Sequence, residues 1–150
     1  MPTLQKALPW VLVIYIAFVF IQSLFFKFSG SEETIIIFNT ISDWMAGTSL
    51  LSAVSEPFRS YGGNLVGLTE LVASILLFIP RLRIWGAIIA LGTISGAIFF
   101  HLFTPLGVVR TIDAMGNTDG GVLFYMACGV WIASALTIYL NRDQLPGVSR

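Results

Sequence analysis

The sequence has few of the residues on which redox and metal chemistry depend. It contains one cysteine and one histidine in 150 residues. A single cysteine excludes an internal disulfide and a dithiol redox pair, and one histidine argues against a bis-histidine haem. A metal held by Glu70 and His101 alone would have only two protein ligands, so we predict no metal site. There is also no glycine-rich phosphate loop and no nucleophile motif.

Charge is also scarce. Charged residues make up 11% of the chain and cancel to a net charge of zero, whereas about 25% is typical of a soluble domain. No basic cluster is dense enough to suggest a nucleic-acid partner. Hydrophobic residues reach 56%, and the mean hydropathy is +0.86. This composition indicates a protein whose surrounding solvent is the lipid bilayer.

Four apolar runs are long enough to cross a membrane, whose hydrocarbon core takes roughly 20 helical residues. They cover residues 9–28, 62–79, 83–103 and 121–140. Little chain remains for a separate soluble domain, so we predict one domain over residues 1–150, an all-α bundle of four transmembrane helices. The first run is too long for a secretory signal peptide and lacks a small-x-small cleavage site, so we interpret it as a retained helix.

The basic residues predict the orientation of these spans. Lys6, Arg81, Arg83, Arg142 and Arg150 lie on one side, and Lys27, Arg59 and Arg110 on the other. The excess of five basic residues over three favours an orientation in a cell inner (plasma) membrane with both termini in the cytoplasm. The two long loops, which hold most of the acids, would then face outward.

The first long loop, "SEETIIIFNTISDWMAGTSLL", predicts a short amphipathic helix because its apolar residues recur at helical spacing. Ser31 is placed to cap its N-terminus, with Glu32 and Glu33 in the first turn. The helix lies either on the outer membrane surface or as a lid over the outer mouth of the bundle, and both can hold together. We expect Pro57 and the pair Gly62-Gly63 to end this region.

Glu70 stands inside the apolar second run, "NLVGLTELVASILLFIP". It lies about eight residues into the predicted span, roughly 12 Å below the outer surface. A carboxylate at that depth costs about 2.5 kcal/mol or more unless it is paired or neutral. The other spans offer polar groups at similar depth. The predicted ligand-binding residues are therefore Glu70, Lys27, His101, Gln22 and Tyr125.

Two interpretations of this polar set remain open. It forms either a ligand, quinone or proton-handling site in the outer half of the bundle, or a hydrogen-bonded network that sets helix packing. Separately, Gly92 and Gly96 form a GxxxG pair that predicts close helix contact, within the bundle or between copies. Replacing either glycine with leucine should then cause a clash.

A family resemblance covers nearly the whole chain. The segments "LFFKFSG", "LTELVASILLFIPR", "GAIIAL", "SGAIFFHLFTPLGV" and "DGGVLF" occur in order, and together they resemble the DoxX family of small four-span membrane proteins. The resemblance implies a four-helix membrane bundle. It also implies an association with redox chemistry, since the family's name comes from subunits of a thiosulfate:quinone oxidoreductase. Lys27, Glu70 and His101 match the family's recurrent polar positions.

Two functions follow from these observations. The first is a redox-associated subunit that binds a quinone or another lipophilic ligand, and the second is a non-catalytic structural or assembly subunit of a larger membrane complex. A chain with no redox centre of its own needs a borrowed cofactor to move electrons. Both functions therefore predict a protein partner or a homo-oligomer, and enzymatic activity of the chain itself is left open.

Overall fold

The computed structural model describes residues 2–145, with side chains from residue 7 onward. This part of the chain folds into five α-helices and a final 3-10 turn. The helices are α1 (Pro2–Phe28), α2 (Glu32–Ala46), α3 (Ser52–Phe78), α4 (Arg83–Phe103) and α5 (Val122–Leu140), and the turn is Arg142–Gln144. All but α2 are long and apolar enough to cross a membrane. The predicted all-α bundle of four spans is therefore confirmed, as is the short helix in the first long loop.

The four spanning helices pack as a closed ring. Helix α1 lies against α3 and α5, and α4 lies against the same two helices on the opposite side. Each helix in the ring is therefore flanked by helices that run in the opposite direction. The centre is filled by hydrophobic side chains that are fully or almost fully buried. Most of them are small or branched, and they include Val13, Ile16, Phe20, Ala73, Leu77, Ala87, Ala90, Val130 and Ala133. Many large hydrophobic side chains on the outer faces remain exposed, as lipid contact requires.

Helix α3 begins ten residues earlier than the sequence predicted, at Ser52 instead of Gly62. The expectation that Pro57 and the glycine pair end the loop is wrong, because the helix passes through all three. Pro57 is the sixth residue of α3, so the helix loses one backbone hydrogen bond there, to the carbonyl of Ala53. Gly62 serves packing: a Cβ there would lie 2.8 Å from a ring carbon of Phe38. The glycine thus lets α2 lie directly against α3.

Helix α2 begins as the sequence predicted. The Ser31 hydroxyl accepts a hydrogen bond from the backbone N–H of Thr34 at 3.3 Å, and Glu32 and Glu33 occupy the first turn. The apolar face of α2 packs on α3 and on Leu106, in the loop after α4. Aromatic contacts extend this packing, since Phe38 meets Phe58 with ring centroids 5.3 Å apart. Helix α2 therefore forms a lid over one end of the bundle.

Helices α3 and α4 are in close backbone contact at Gly86. A Cβ on Gly86 would lie 2.7 Å from the backbone nitrogen of Leu77 and 2.8 Å from the carbonyl oxygen of Ala73. Farther along α4, a Cβ on Gly92 or Gly96 would meet nothing within 4 Å. The expected close contact at the GxxxG pair is therefore wrong within the bundle. The two helices touch at Gly86 and leave open space beside Gly92 and Gly96.

Candidate functional site

A cavity of about 380 Å³ lies under α2, the lid of the bundle. Its size lies within the range of small-molecule pockets, about 300–1,000 Å³. Most of its lining is apolar, and the polar groups are few. The spanning helices α1, α3 and α4 contribute Ser23, Phe26, Lys27, Leu65, Val66, Thr69, Glu70, Gly92, Thr93, Ile94, Gly96, Ala97, Phe100 and His101, and α2 adds Glu33, Thr34, Ile37, Phe38 and Ile41. Phe58, Leu106 and Leu123 complete it.

Glu70 and Lys27 form an ion pair at the wall of this cavity. The Lys27 ammonium lies 3.1 Å from one carboxylate oxygen of Glu70 and 3.0 Å from the other. Only 16% of the Lys27 side chain and 7% of the Glu70 side chain are exposed. The pair joins α1 to α3. Lys27, one of the predicted site residues, is therefore the cationic partner of the buried carboxylate.

Ser23 completes this polar cluster, and the sequence analysis missed it. Its hydroxyl donates to Glu70 at 2.7 Å, and it accepts a hydrogen bond from Lys27. Ser23 precedes Lys27 by four residues, so both side chains lie on one face of α1. That spacing was the available signal. A serine in an apolar helix is common, however, and only the position of Glu70 on the neighbouring helix gives it this role.

His101 lines the same cavity but does not bond to Glu70. Its Nδ1 lies 2.6 Å from the carbonyl oxygen of Gly107, in the loop after α4. A carbonyl can only accept, so Nδ1 carries the proton and donates. Gly107 has a φ of +72°, a conformation that favours glycine and directs its carbonyl back toward α4. The "TPLG" segment therefore positions the loop on His101.

Gln22 and Tyr125 lie outside the cavity lining. Gln22 is exposed on α1, one residue before Ser23 and so about 100° around the helix from it. Tyr125 is 67% exposed on α5, where its ring contacts Phe124. The structure therefore brings together Lys27, Glu70 and His101 but leaves the other two predicted residues on outward faces.

A second charged cluster lies between α2 and the loop that joins α4 to α5. The sequence analysis missed this cluster too. Arg110 is almost completely buried and pairs with Glu33 of α2. Its Nε also lies 3.3 Å from Asp119, in the loop before α5. The backbone N–H of Ala114 donates to Glu32 at 2.7 Å. These contacts connect the long loop between α4 and α5 to α2. These residues lie far apart in sequence, so no local pattern shows the cluster.

Asp119 also holds the start of α5. Its carboxylate accepts from the backbone N–H groups of Gly121 at 2.9 Å and Arg110 at 3.1 Å. Burial acts to raise the pKa of Asp119, but these hydrogen bonds and the charge of Arg110 outweigh it and lower the pKa below its ordinary value. Gly120 and Gly121 both adopt positive φ. The "DGG" segment is therefore a turn that places a carboxylate at the helix N-terminus.

The open side of the cavity lies between α3 and α4. Leu65 and Thr69 on α3, and Gly92 on α4, are exposed and also line the cavity. A Cβ at Gly92 or Gly96 would meet nothing within 4 Å, although the Thr93 and Thr69 hydroxyls lie 3.4 Å apart across the two helices. The missing side chains at Gly92 and Gly96 widen the gap. The cavity is thus accessible from the side of the bundle that faces lipid.

Fold and site together define a small, multi-pass integral membrane protein with a lidded cavity inside its helix bundle. Comparisons with protein-family models, curated proteins and solved structures gave no match. Among the described residues, no three His, Cys, Asp or Glu side chains are placed to hold a metal ion.

Proposed function

We propose that this protein binds a lipophilic ligand, with a quinone as the leading candidate, in the cavity under α2. The observation that carries the proposal is the lidded cavity of about 380 Å³. It is accessible from the lipid side and has a buried Lys27–Glu70 pair in an otherwise apolar wall. Such pockets are typical of small-molecule sites, in which a few polar groups orient a mostly apolar ligand.

We propose further that the chain is a DoxX-like subunit associated with redox chemistry. The support is the resemblance of its segments and the grouping of Lys27, Glu70 and His101 around one cavity. A quinone bound here would supply the electron-carrying group that the residues of the chain lack. A protein partner or a second copy of the chain would then act on the bound ligand.

A structural or assembly role is the second candidate. The observation that favours it is that Lys27, Glu70 and Ser23 hydrogen-bond to one another. These bonds join α1 to α3 without any ligand. In this role the cavity would hold an ordinary lipid chain. Copurification separates the two: a bound quinone supports the first role, and a stoichiometric protein partner without a bound ligand supports the second.

Quinone binding should raise the thermal midpoint of the purified protein. A ligand at 100 times its dissociation constant stabilises the folded state by about 2.7 kcal/mol, so a rise of several degrees is expected. Tryptophan fluorescence in quinone-free detergent, with added ubiquinone or menaquinone, measures it. Gly96→Leu fills the cavity side of α4 and should abolish the rise, whereas Leu102→Phe, a 52% exposed position on the same helix, should keep it. The same rise in Gly96→Leu would contradict binding in this cavity.

Both termini should lie in the cytoplasm, with the lid on the outer face. Reporter fusions after Arg83 and after Arg150 are therefore expected to give a cytoplasmic signal, and a fusion at Asn117 an external one. The reason is the concentration of Arg81, Arg83 and Arg142 at the end of the bundle opposite the acidic lid. A cytoplasmic signal at Asn117 would reverse the orientation and place the cavity in the inner leaflet.

A further inference from the structure

The hydrogen-bond donors of four cavity-lining side chains, Lys27, Ser23, Thr69 and Thr93, already have protein partners. Lys27 has three N–H groups, and it makes three contacts: one with Ser23 and one with each carboxylate oxygen of Glu70. The Ser23 hydroxyl donates to Glu70. Thr69 donates to the carbonyl of Val66 at 2.8 Å, and Thr93 lies 3.4 Å from the Thr69 hydroxyl. A ligand carbonyl would have to displace one of these bonds to find a donor among these four side chains.

The ring of His101, by contrast, has a hydrogen-bond acceptor without a partner in the described part of the chain. Its Nδ1–H is committed to the carbonyl of Gly107, so Nε2 of the neutral ring carries a lone pair and acts only as an acceptor. No hydrogen bond joins Nε2 to any of the described residues. His101 is 5% exposed and lines the cavity. Within residues 2–145, His101 therefore presents an unpaired hydrogen-bond acceptor to an occupant of the cavity.

Aromatic rings surround the same space. Phe38 from the lid, Phe58 from α3 and Phe100 from α4 all line the cavity. They form a chain in which Phe38 and Phe58 are 5.3 Å apart and Phe58 and Phe100 are 5.9 Å apart between centroids. Phe100 directly precedes His101 in α4. Ring faces and edges favour a flat aromatic occupant.

We propose that the cavity binds the hydroxyl form of an aromatic lipophile, a quinol or another alkylphenol, whose O–H donates to Nε2 of His101. The inference rests on the proposed function and narrows it, because a quinone lacks the O–H that this site accepts. Selectivity for a hydrogen-bond donor follows from the arrangement of the protein's own bonds. No change in the ligand's oxidation state is part of the proposal.

Two probes that differ in one hydrogen-bonding group test it. 4-Octylphenol and 4-octylanisole have the same ring and tail, but only the phenol has an O–H. We expect the phenol to bind the detergent-solubilised protein about tenfold more tightly, which is the order of effect of one hydrogen bond. A short-chain ubiquinol, kept anaerobic, should exceed the matching ubiquinone by a similar factor.

Two substitutions of His101 separate its two nitrogens. In His101→Asn the amide nitrogen takes the place of Nδ1 and can still donate to Gly107, but no acceptor remains at the position of Nε2. This variant should keep the thermal midpoint and bind phenol and anisole equally. His101→Gln removes the donor to Gly107 and should lower the midpoint instead. Continued tenfold discrimination by His101→Asn would overturn the assignment to Nε2.

A measurement on the unaltered side chain avoids any dependence on the variants. The chain contains one histidine, so a tag-free sample gives a single pair of imidazole nitrogen signals in ¹⁵N NMR. The octylphenol should move the Nε2 signal, and the anisole should leave it in place. An Nε2 signal that the phenol does not move would overturn the inference.

The outcomes also distinguish the inference from the proposed function. If the anisole and the quinone bind as tightly as the phenol and the quinol, the proposed lipophilic site is supported. The inferred selectivity for a hydrogen-bond donor is then wrong. If none of the four probes binds, both proposals fall together.

Discussion

Gly86→Ala should destabilise the bundle strongly, although it adds a single methyl group. The new Cβ would lie 2.7 Å from the Leu77 nitrogen and 2.8 Å from the Ala73 oxygen, both of which are backbone atoms of α3. No rotamer change can relieve such a contact, so α3 and α4 must separate. Overpacking of a core costs about 1–3 kcal/mol, and a clash with backbone belongs at the upper end. We expect a thermal midpoint several degrees lower in detergent.

Gly92→Ala and Gly96→Ala are the matched controls on the same helix. A Cβ at either position meets nothing within 4 Å, and alanine is favoured over glycine inside a helix by about 0.5–1 kcal/mol. Both controls should leave the midpoint unchanged or raise it slightly. Equal destabilisation by all three substitutions would mean that general helix properties, and not the contact at Gly86, decide the result.

Removing one partner of the Lys27–Glu70 pair should cost more stability than removing both. Lys27→Met leaves the Glu70 carboxylate in an apolar wall with only Ser23 as a partner, and breaking a buried pair in this way costs about 3–5 kcal/mol. Glu70→Leu leaves the ammonium of Lys27 in the same position. The double variant leaves no buried charge, and much of the loss should be recovered. A double-mutant cycle on the free energy of unfolding measures this coupling.

Glu70→Gln provides the shape-matched control for this cycle. It keeps the size and part of the hydrogen bonding of the side chain but removes the charge. We expect the free energy of unfolding of Glu70→Gln to lie between that of the wild type and that of Glu70→Leu. If Lys27→Met and Glu70→Leu each unfold at the wild-type midpoint, the ion pair does not hold α1 against α3.

The spans and helix α2 could be predicted from sequence because their causes are local. A helix of about 20 apolar residues satisfies its own backbone hydrogen bonds and matches the hydrocarbon core, so composition alone indicates four spans. Ser31, with two acids after it, marks the start of α2 in the same way. The need of Glu70 for a partner could also be predicted, with Lys27 and His101 as the candidates, since a buried carboxylate is costly unless it is paired.

The rest depended on contacts between residues distant in the chain. The GxxxG pair indicates that a glycine can permit close approach, but only helix packing decides which glycine does so. Gly86 contacts α3, while Gly92 and Gly96 border the cavity. Phe38 likewise packs on Gly62, inside the part of α3 that the sequence interpreted as loop.

The polar residues divide in the same way. Sequence determined that Glu70, Lys27 and His101 had to be buried or paired, because free charges and polar groups are costly in lipid. Rotation of each helix within the ring then decided that Gln22 and Tyr125 face outward while Ser23 faces the carboxylate. It also decided that His101 donates to Gly107 and not to Glu70. That rotation is set by the summed packing of all neighbouring helices, a quantity that no single segment of sequence contains.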